Sequence, residues 1–149
     1  MTFVLPAKIL IVDDSKQWRE TLRCMLQATP DYHVVDEASD ALEAVQKAAQ
    51  LHPDIVLLDI GMPILNGIEA APKIRRASSH SKIVFVTQES DDDVRAAALA
   101  TGAEGCLLKS RVVSELIPAL DALVKRVPQQ LSYVRAVRMP ALSATIEYE

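Results

Sequence analysis

Five short apolar segments alternate along this chain with five longer segments whose apolar residues recur at helical spacing. Short apolar segments bounded by turn residues are typical of buried strands, and the longer segments are typical of amphipathic helices. Strict alternation of strands and helices requires crossover connections, and therefore a parallel sheet with helices on both faces. The predicted strands are residues 8–12, 32–35, 55–58, 82–86 and 105–108.

Residue types that start and stop helices fit the same division. Ser15 and Asn66 are predicted N-caps, because their side-chain oxygens can accept hydrogen bonds from the first turn. Ser90, followed by the aspartates 91–93, is predicted to open the fourth helix, where acidic groups complement the positive end of the helix dipole. Gly102 is predicted to end that helix.

Two predicted helices contain a proline, Pro72 and Pro118. A proline inside a helix removes one hydrogen bond and costs about 3 kcal/mol. We therefore expect a kink or a late start in the third helix and a late start in the fifth. Helical spacing predicts that Trp18, Leu22, Met25 and Leu26 are core residues on the apolar face of the first helix. The apolar face of the second helix is predicted to contain Leu42, Val45 and Ala49. The face of the fifth is predicted to contain Val113, Leu116, Ile117, Leu120 and Val124.

Composition excludes several classes of protein. A chain of 149 residues is about one domain, and its net charge of −4 argues against a free-standing nucleic-acid-binding domain. No apolar run reaches the roughly 18 residues that a membrane span needs, so we expect no membrane partner. Cys24 and Cys106 fit no metal-ligand spacing, which favours reduced thiols and a soluble cytoplasmic protein.

Polar residues follow four of the predicted strands. Asp13 and Asp14 follow the first strand, Asp59 the third, Thr87 the fourth and Lys109 the fifth. In a parallel sheet these strand ends lie at one edge, where ligands bind. Three carboxylates at that edge repel one another unless their pKa values rise or a cation lies among them. An all-oxygen site of this kind suits Mg²⁺, beside which an aspartate can act as a nucleophile toward a phosphoryl group.

In this arrangement the chain resembles the receiver domain of a two-component response regulator. The resemblance rests on the Asp13 and Asp14 pair, on Asp59 followed by the segment 62–67 that begins Met-Pro and ends in glycine, and on Thr87 and Lys109. It covers residues 6–127 and implies a flavodoxin-like, doubly wound sheet of five parallel strands in the order 2-1-3-4-5, with five helices. The tail 128–149 has no recognisable domain.

The resemblance also implies a role for each of these positions. Asp59 is the phosphoacceptor, and Thr87 and Lys109 contact the phosphoryl group. Mg²⁺ is bound by Asp14, Asp59 and the backbone carbonyl of Gly61, with Asp13 acting through a water molecule.

The same resemblance implies the partners of the chain. The phosphoryl donor is a histidine kinase or a histidine phosphotransfer protein, and the output partner is a downstream protein or a fused domain. A homodimer would use the face formed by helix 4, strand 5 and helix 5. This chain alone binds no nucleic acid and acts as a phosphoacceptor with at most slow self-catalysed chemistry, not as an enzyme.

Three positions depart from the family pattern. Ser110 follows the lysine where a proline in a cis peptide is usual, Gln88 stands where a small residue is usual, and Cys106 replaces an aromatic residue. We expect Gln88 to crowd the phosphoryl site and Cys106 to be too small for a switch based on aromatic rotation.

Other functions stay open at this point. A phosphohydrolase needs a second acid two residues after its nucleophile, where this chain has Gly61. A flavodoxin-like FMN binder needs a phosphate-binding loop after the first strand, where Asp13 and Asp14 are electrostatically unsuitable. The remaining alternatives are a receiver fragment of a DNA-binding transcriptional regulator and a pseudo-receiver interaction module that is not phosphorylated.

Overall fold

The computed structural model describes residues 5–124 of the chain. The chain divides into two units, and the first of them is Pro6–Leu116. The described part of the second unit is Leu5 and the end of the last helix. The predicted boundary at residue 127 and the predicted tail 128–149 lie outside the described residues.

Five strands and five helices alternate along the described residues, and the strands form one parallel sheet in the order β2-β1-β3-β4-β5. This confirms the predicted doubly wound α/β fold. The strands are β1 (Ala7–Val12), β2 (Tyr32–Ala38), β3 (Ile55–Leu58), β4 (Lys82–Thr87) and β5 (Gly105–Leu108). The helices are α1 (Lys16–Gln27), α2 (Ala41–Leu51), α3 (Gly67–Ala77), α4 (Asp92–Ala100) and α5 (Val112–Val124), with a short 3₁₀ turn at Lys109–Arg111.

The central strand β3 is buried along its whole length, because strands β1 and β4 flank it and helices cover parallel sheets. Its continuous apolar sequence reflects burial on both faces, since a strand with one solvated face alternates apolar and polar residues. Strand β2 lies at the edge of the sheet, as predicted, but it extends to Ala38 and is longer than its apolar segment indicated.

The predicted apolar face of α2 is wrong at Leu42, which is 69% exposed, and at the exposed Ala49, whereas Val45 packs against the core as predicted. The helix residues that are fully buried in the core are the small Ala41, Ala44 and Ala48. The N-cap of α2 is Asp40, whose side chain accepts a hydrogen bond from the N–H of Glu43. The prediction was based on the larger apolar side chains. The alanines pack against the core instead, because their small side chains let α2 approach the core closely.

The expected late start of α5 is wrong, and so is the late-start alternative for α3, since each helix begins well before its proline. The alternative of a kink at Pro72 stays a prediction. Pro72 and Pro118 are both exposed, so their rings extend into solvent without disturbing core packing. In α5 the carbonyl that loses its partner is that of Ser114, an exposed residue, so water can satisfy it. The start of α5 buries Val112 and leaves Val113 84% exposed, which reverses the prediction for Val113.

Helix caps fix where α1, α3 and α4 begin. The side chain of Ser15 accepts a hydrogen bond from the N–H of Trp18, and Asn66 forms a reciprocal capping box with Glu69. Both caps were predicted. The cap of α4 is Asp91, one residue later than predicted, and its carboxylate accepts hydrogen bonds from the first turn. These caps place the start of each helix beside the edge of the sheet where the strands end.

Two further predictions concern the described residues as a whole. Cys24 is an exposed free thiol and Cys106 a buried one, so neither forms a disulfide. Within residues 5–124, no helix combines the length and the apolar character needed to cross a membrane.

A strained turn lies between β3 and α3. Ile64 has a φ of 69°, and the N–H of Leu65 donates to the carbonyl oxygen of Pro63 at 2.8 Å, which closes a three-residue γ-turn around Ile64. A turn of this hand is rare, and a β-branched residue is unfavourable in the left-handed region. The Ile64 side chain is fully exposed, so no packing compensates the strain. The connection after Asp59 therefore holds a conformation that its sequence does not favour locally.

We expect Ile64→Gly to stabilise the protein by about 0.5 to 1 kcal/mol. The left-handed conformation costs a non-glycine residue roughly 1 to 2 kcal/mol, whereas glycine adds about 0.5 to 1 kcal/mol of chain entropy. Denaturant unfolding measures the difference. Ile64→Ala is the matched control, because its Cβ keeps the strain and its stability should stay near that of the parent. A glycine variant less stable than the alanine variant would contradict this interpretation.

Candidate active site at the carboxyl edge of the sheet

The parallel sheet brings the predicted site residues to one edge. Asp13 follows β1, Asp59 follows β3, Thr87 ends β4 and Lys109 follows β5. A cleft of about 760 Å³ opens at this edge. Five of the predicted site residues line it, namely Asp14, Asp59, Gly61, Thr87 and Lys109. Gln88 lines it as well. The buried Asp13 is ion-paired to Lys109, beneath the cleft.

Three carboxylates form the acidic centre of the site. Asp13, Asp14 and Asp59 each offer an oxygen atom, and these atoms all lie within 4.8 Å of one another. Asp13 and Asp59 are buried, whereas Asp14 is exposed to the cleft. At such distances two carboxylates repel by about 1 kcal/mol in water and about 4 kcal/mol at the effective dielectric of a protein surface. The cluster therefore needs compensating positive charge.

Lys109 supplies part of that charge. Its Nζ lies 2.8 Å from Asp13 Oδ2 and 3.5 Å from Asp59 Oδ1, and the residue is 7% exposed. Asp13 Oδ1 accepts the N–H of Ser15 at 2.9 Å, while Oδ2 accepts no hydrogen bond beyond its ion pair with Lys109. One ammonium faces three carboxylates, so the described residues leave the centre with excess negative charge.

Asp59 is held by its backbone and is 6% exposed. Its N–H donates to the carbonyl oxygen of Val12, and its Oδ1 accepts the N–H of Gly61 at 3.3 Å. Burial raises the pKa of Asp59 above its ordinary value, and the negative charge of Asp13 raises it further, against the opposing effect of the Lys109 ammonium. The carboxylate is therefore desolvated and only partly neutralised.

Gly67 permits the close approach of α3 to this aspartate. A Cβ atom at position 67 would lie 2.1 Å from the backbone oxygen of Asp59, a distance that no side chain tolerates. The N–H of Gly67 donates to the carbonyl oxygen of Ile60 at 2.9 Å. Only glycine fits here, so this residue sets the position of the Asp59 backbone against the start of α3.

Thr87 and the two residues that follow it also line the cleft. The Thr87 hydroxyl oxygen is buried and accepts the N–H of Glu89 at 3.0 Å, which fixes the turn that leads to α4. Gln88 is exposed and lines the cleft. It is thus placed where the predicted crowding would act, beside the threonine.

Lys109 is followed by Ser110, and no peptide bond among residues 5–124 is cis. The lysine instead begins the 3₁₀ turn that leads into α5. Cys106 is buried in the core, where burial raises the pKa of its thiol. Its backbone carbonyl accepts a hydrogen bond from Arg95 Nη1 at 2.6 Å, which ties α4 to β5.

Trp18 is a site residue that the sequence interpretation missed. Helical spacing predicted it to be a core residue, but it is half-buried, lines the cleft and has its ring centroid 5.0 Å from Lys109 Nζ. The signal that identifies it is its place three residues after the capping Ser15, in the first turn of the helix that follows Asp13 and Asp14.

A family model for the response regulator receiver domain matches residues 9–121 of this chain. The chain belongs to the receiver domain family. Within the described residues, the strand order and the acidic cluster fit this assignment.

Curated relatives of this receiver domain are named as regulators. The transcriptional regulatory protein LiaR of Bacillus subtilis (strain 168) is 38% identical over 127 residues, which cover 85% of this chain and 60% of that protein. The nitrate/nitrite response regulator protein NarL of Escherichia coli (strain K12) is 34% identical over 145 residues, which cover 95% of this chain and 67% of that protein. The receiver chain thus spans about 60 to 67% of the length of these two relatives.

Solved structures agree with the receiver fold. A two-component response regulator of the LuxR family from Aurantimonas sp. SI85-9A1 superposes with a TM-score of 0.76 and 35% identity, over 80% of this chain and 86% of that one. The response regulator domain of CheB from Thermotoga maritima superposes with a TM-score of 0.70 and 35% identity, over 76% and 92% of the two chains.

We expect Asp59→Asn to raise the free energy of unfolding at pH 7 in buffer free of divalent metal. A carboxyl whose pKa is raised in the folded state destabilises the fold when it ionises, and this loss is complete above the folded pKa and absent below the unfolded pKa. The gain in the variant should therefore shrink as the pH falls toward the unfolded value of about 3.9. Urea unfolding of both proteins across this range measures it. A variant less stable than the parent at pH 7 would contradict the raised pKa.

Proposed function

We propose that this receiver domain accepts a phosphoryl group on Asp59 from a phosphohistidine of a histidine kinase or a histidine phosphotransfer protein. A carboxylate oxygen of Asp59 attacks phosphorus, the bond between phosphorus and the imidazole nitrogen breaks, and the imidazole leaves with the bonding electron pair. The product is an acyl phosphate on Asp59. The acceptor role suits the receiver family and makes the chain a phosphoacceptor rather than an enzyme.

The observation that carries this proposal is the desolvated Asp59 carboxylate at the base of an open cleft, between a cluster of acids and one lysine. Partial desolvation makes a carboxylate a better nucleophile because fewer water molecules must be displaced before it attacks. The cleft gives a donor access from solvent. A buried aspartate with a purely structural role would be fully paired by its neighbours, whereas Asp59 Oδ1 meets Lys109 only at 3.5 Å.

The donor set fits Mg²⁺. Three carboxylates within 4.8 Å and a nearby backbone carbonyl give only oxygen ligands, and an open cleft leaves room for water ligands. We propose Asp14, Asp59 and the carbonyl of Gly61 as direct ligands, with Asp13 bound through water. When bound, Mg²⁺ would neutralise the carboxylates and polarise the phosphoryl group.

We propose that Lys109 and Thr87 contact the oxygens of the phosphoryl group. Lys109 can pair with an oxygen on the side of β5, since its ammonium already lies between Asp13 and Asp59. The Thr87 hydroxyl accepts one hydrogen bond and keeps its own proton to donate. A phosphohydrolase is disfavoured because Gly61, two residues after Asp59, provides no acid or base.

We propose that helix α4, strand β5 and helix α5 form the surface that changes on phosphorylation and binds the output partner. A homodimer through this face is part of the same proposal. Thr87 is joined to the start of α4 through Glu89, and Arg95 joins α4 to the carbonyl of Cys106. Because Cys106 has no ring, we propose that movement of the segment 87–93 replaces aromatic rotation. The output partner is a downstream protein or a fused domain, and nucleic acid is not bound by this chain alone.

Incubation of the parent with Mg²⁺ and acetyl phosphate should add one acid-labile phosphoryl group, which intact-mass spectrometry detects. Asp59→Asn should show no labelling, because an amide is too weak a nucleophile to attack phosphorus. The matched control is Asp54→Asn, which changes a partly exposed aspartate just before β3 and should label like the parent. Labelling of Asp59→Asn at the rate of the parent would remove Asp59 from the acceptor role.

A further inference from the structure

Trp18 occupies an unusual place for a large aromatic residue on an amphipathic helix. It is the single tryptophan of the chain, and it is the aromatic member of the cleft lining among the described residues. Its backbone N–H donates to Ser15 Oγ at 3.3 Å, so the cap that starts α1 holds the Trp18 backbone close to the end of β1. The side chain is placed beside the reacting groups by the helix start.

The Lys109 ammonium has contacts of two kinds. Two are carboxylates, Asp13 Oδ2 at 2.8 Å and Asp59 Oδ1 at 3.5 Å, and one is the Trp18 ring at 5.0 Å from its centroid. The negative face of an aromatic ring attracts a cation without carrying net charge. The ring can therefore hold the ammonium and leave its positive charge available to another anion, which a further carboxylate would not do.

We propose that Trp18 is a positioning residue for phosphoryl transfer, which holds the Lys109 ammonium where it meets a phosphoryl oxygen on Asp59. This inference rests on the proposed function of Asp59. Lysine has a long flexible stem, and the shorter of its two ion pairs would draw the ammonium toward Asp13. Attraction to the indole limits the positions that the ammonium can occupy. The Lys109 side chain therefore loses less conformational entropy when it is positioned for the transfer step.

The simpler alternative is that Trp18 only fills space at the rim of the cleft. In that case any apolar side chain of similar bulk would serve equally well. If the ring acts on Lys109, an aromatic replacement should retain the effect and an aliphatic one should lose it. The two explanations therefore differ in how Trp18→Phe and Trp18→Leu compare.

The test follows labelling of the full chain by acetyl phosphate with Mg²⁺, using intact-mass time courses. Trp18→Leu should label roughly five-fold more slowly than the parent, and Trp18→Phe within about two-fold of it. Thr21→Ala, one turn further along α1, controls for disturbance of the helix and should label like the parent. Circular dichroism checks that each variant is folded. If Trp18→Leu does not fold, Trp18→Met replaces it and should be slow to the same extent.

A double-mutant cycle then asks whether Trp18 acts through Lys109. Lys109→Met and the double variant Trp18→Leu/Lys109→Met should label at equal rates, because the ring has no ammonium left to hold. A further five-fold loss in the double variant would overturn the proposal, and so would Trp18→Leu labelling as fast as Trp18→Phe. If Lys109→Met is too slow to follow, the ranking of Trp18→Phe and Trp18→Leu decides. An unlabelled parent would instead overturn the proposed function of Asp59.

Discussion

Repulsion among three carboxylates is the interaction on which the rest of this structure depends. Asp13, Asp14 and Asp59 meet within 4.8 Å because parallel strands place their carboxyl ends at one edge of the sheet. A fold that only had to be stable would not gather these charges, since each pair costs free energy and burial of Asp59 adds to the cost. A cation bound among the three carboxylates would relieve this repulsion, and the described residues supply only Lys109 as a counter-charge in contact with the cluster.

Several local features keep this unfavourable cluster in place. The buried β3 carries Asp59, and the absence of a side chain at Gly67 lets α3 begin against the backbone of Asp59. The capping box at Asn66 fixes the start of α3, while the strained turn at Ile64 completes the connection. Strain of this kind persists where surrounding structure determines the backbone, and it recurs at functional sites. The free energy that the sheet and the helix caps contribute thus offsets the cost of the carboxylate cluster at the edge of the sheet, which is accessible from the cleft.

The sequence was sufficient to predict the parts that follow from strand order and strand ends. Alternating segments indicated the parallel sheet, and the polar residues after the strands indicated which side chains meet. Details of packing were harder to predict, because alanines such as Ala44 are buried where larger apolar residues were expected. The position of Pro118 inside α5 was also hard to predict, because it depends on whether water can reach the Ser114 carbonyl that loses its partner. Trp18 was missed because periodicity alone cannot distinguish a ring that faces a core from one that faces an ammonium across a cleft.

The central claim is that the acidic cluster is a cation site completed by the exposed Asp14. Calorimetric titration of the full chain with Mg²⁺ tests it most directly, since binding is measured without any phosphodonor. The account predicts that Asp14→Asn binds Mg²⁺ about ten-fold more weakly or worse, because one of few charged ligands is lost. Asp92→Asn, an exposed acid in the first turn of α4, should bind like the parent. Equal affinity of Asp14→Asn and the parent would contradict the account.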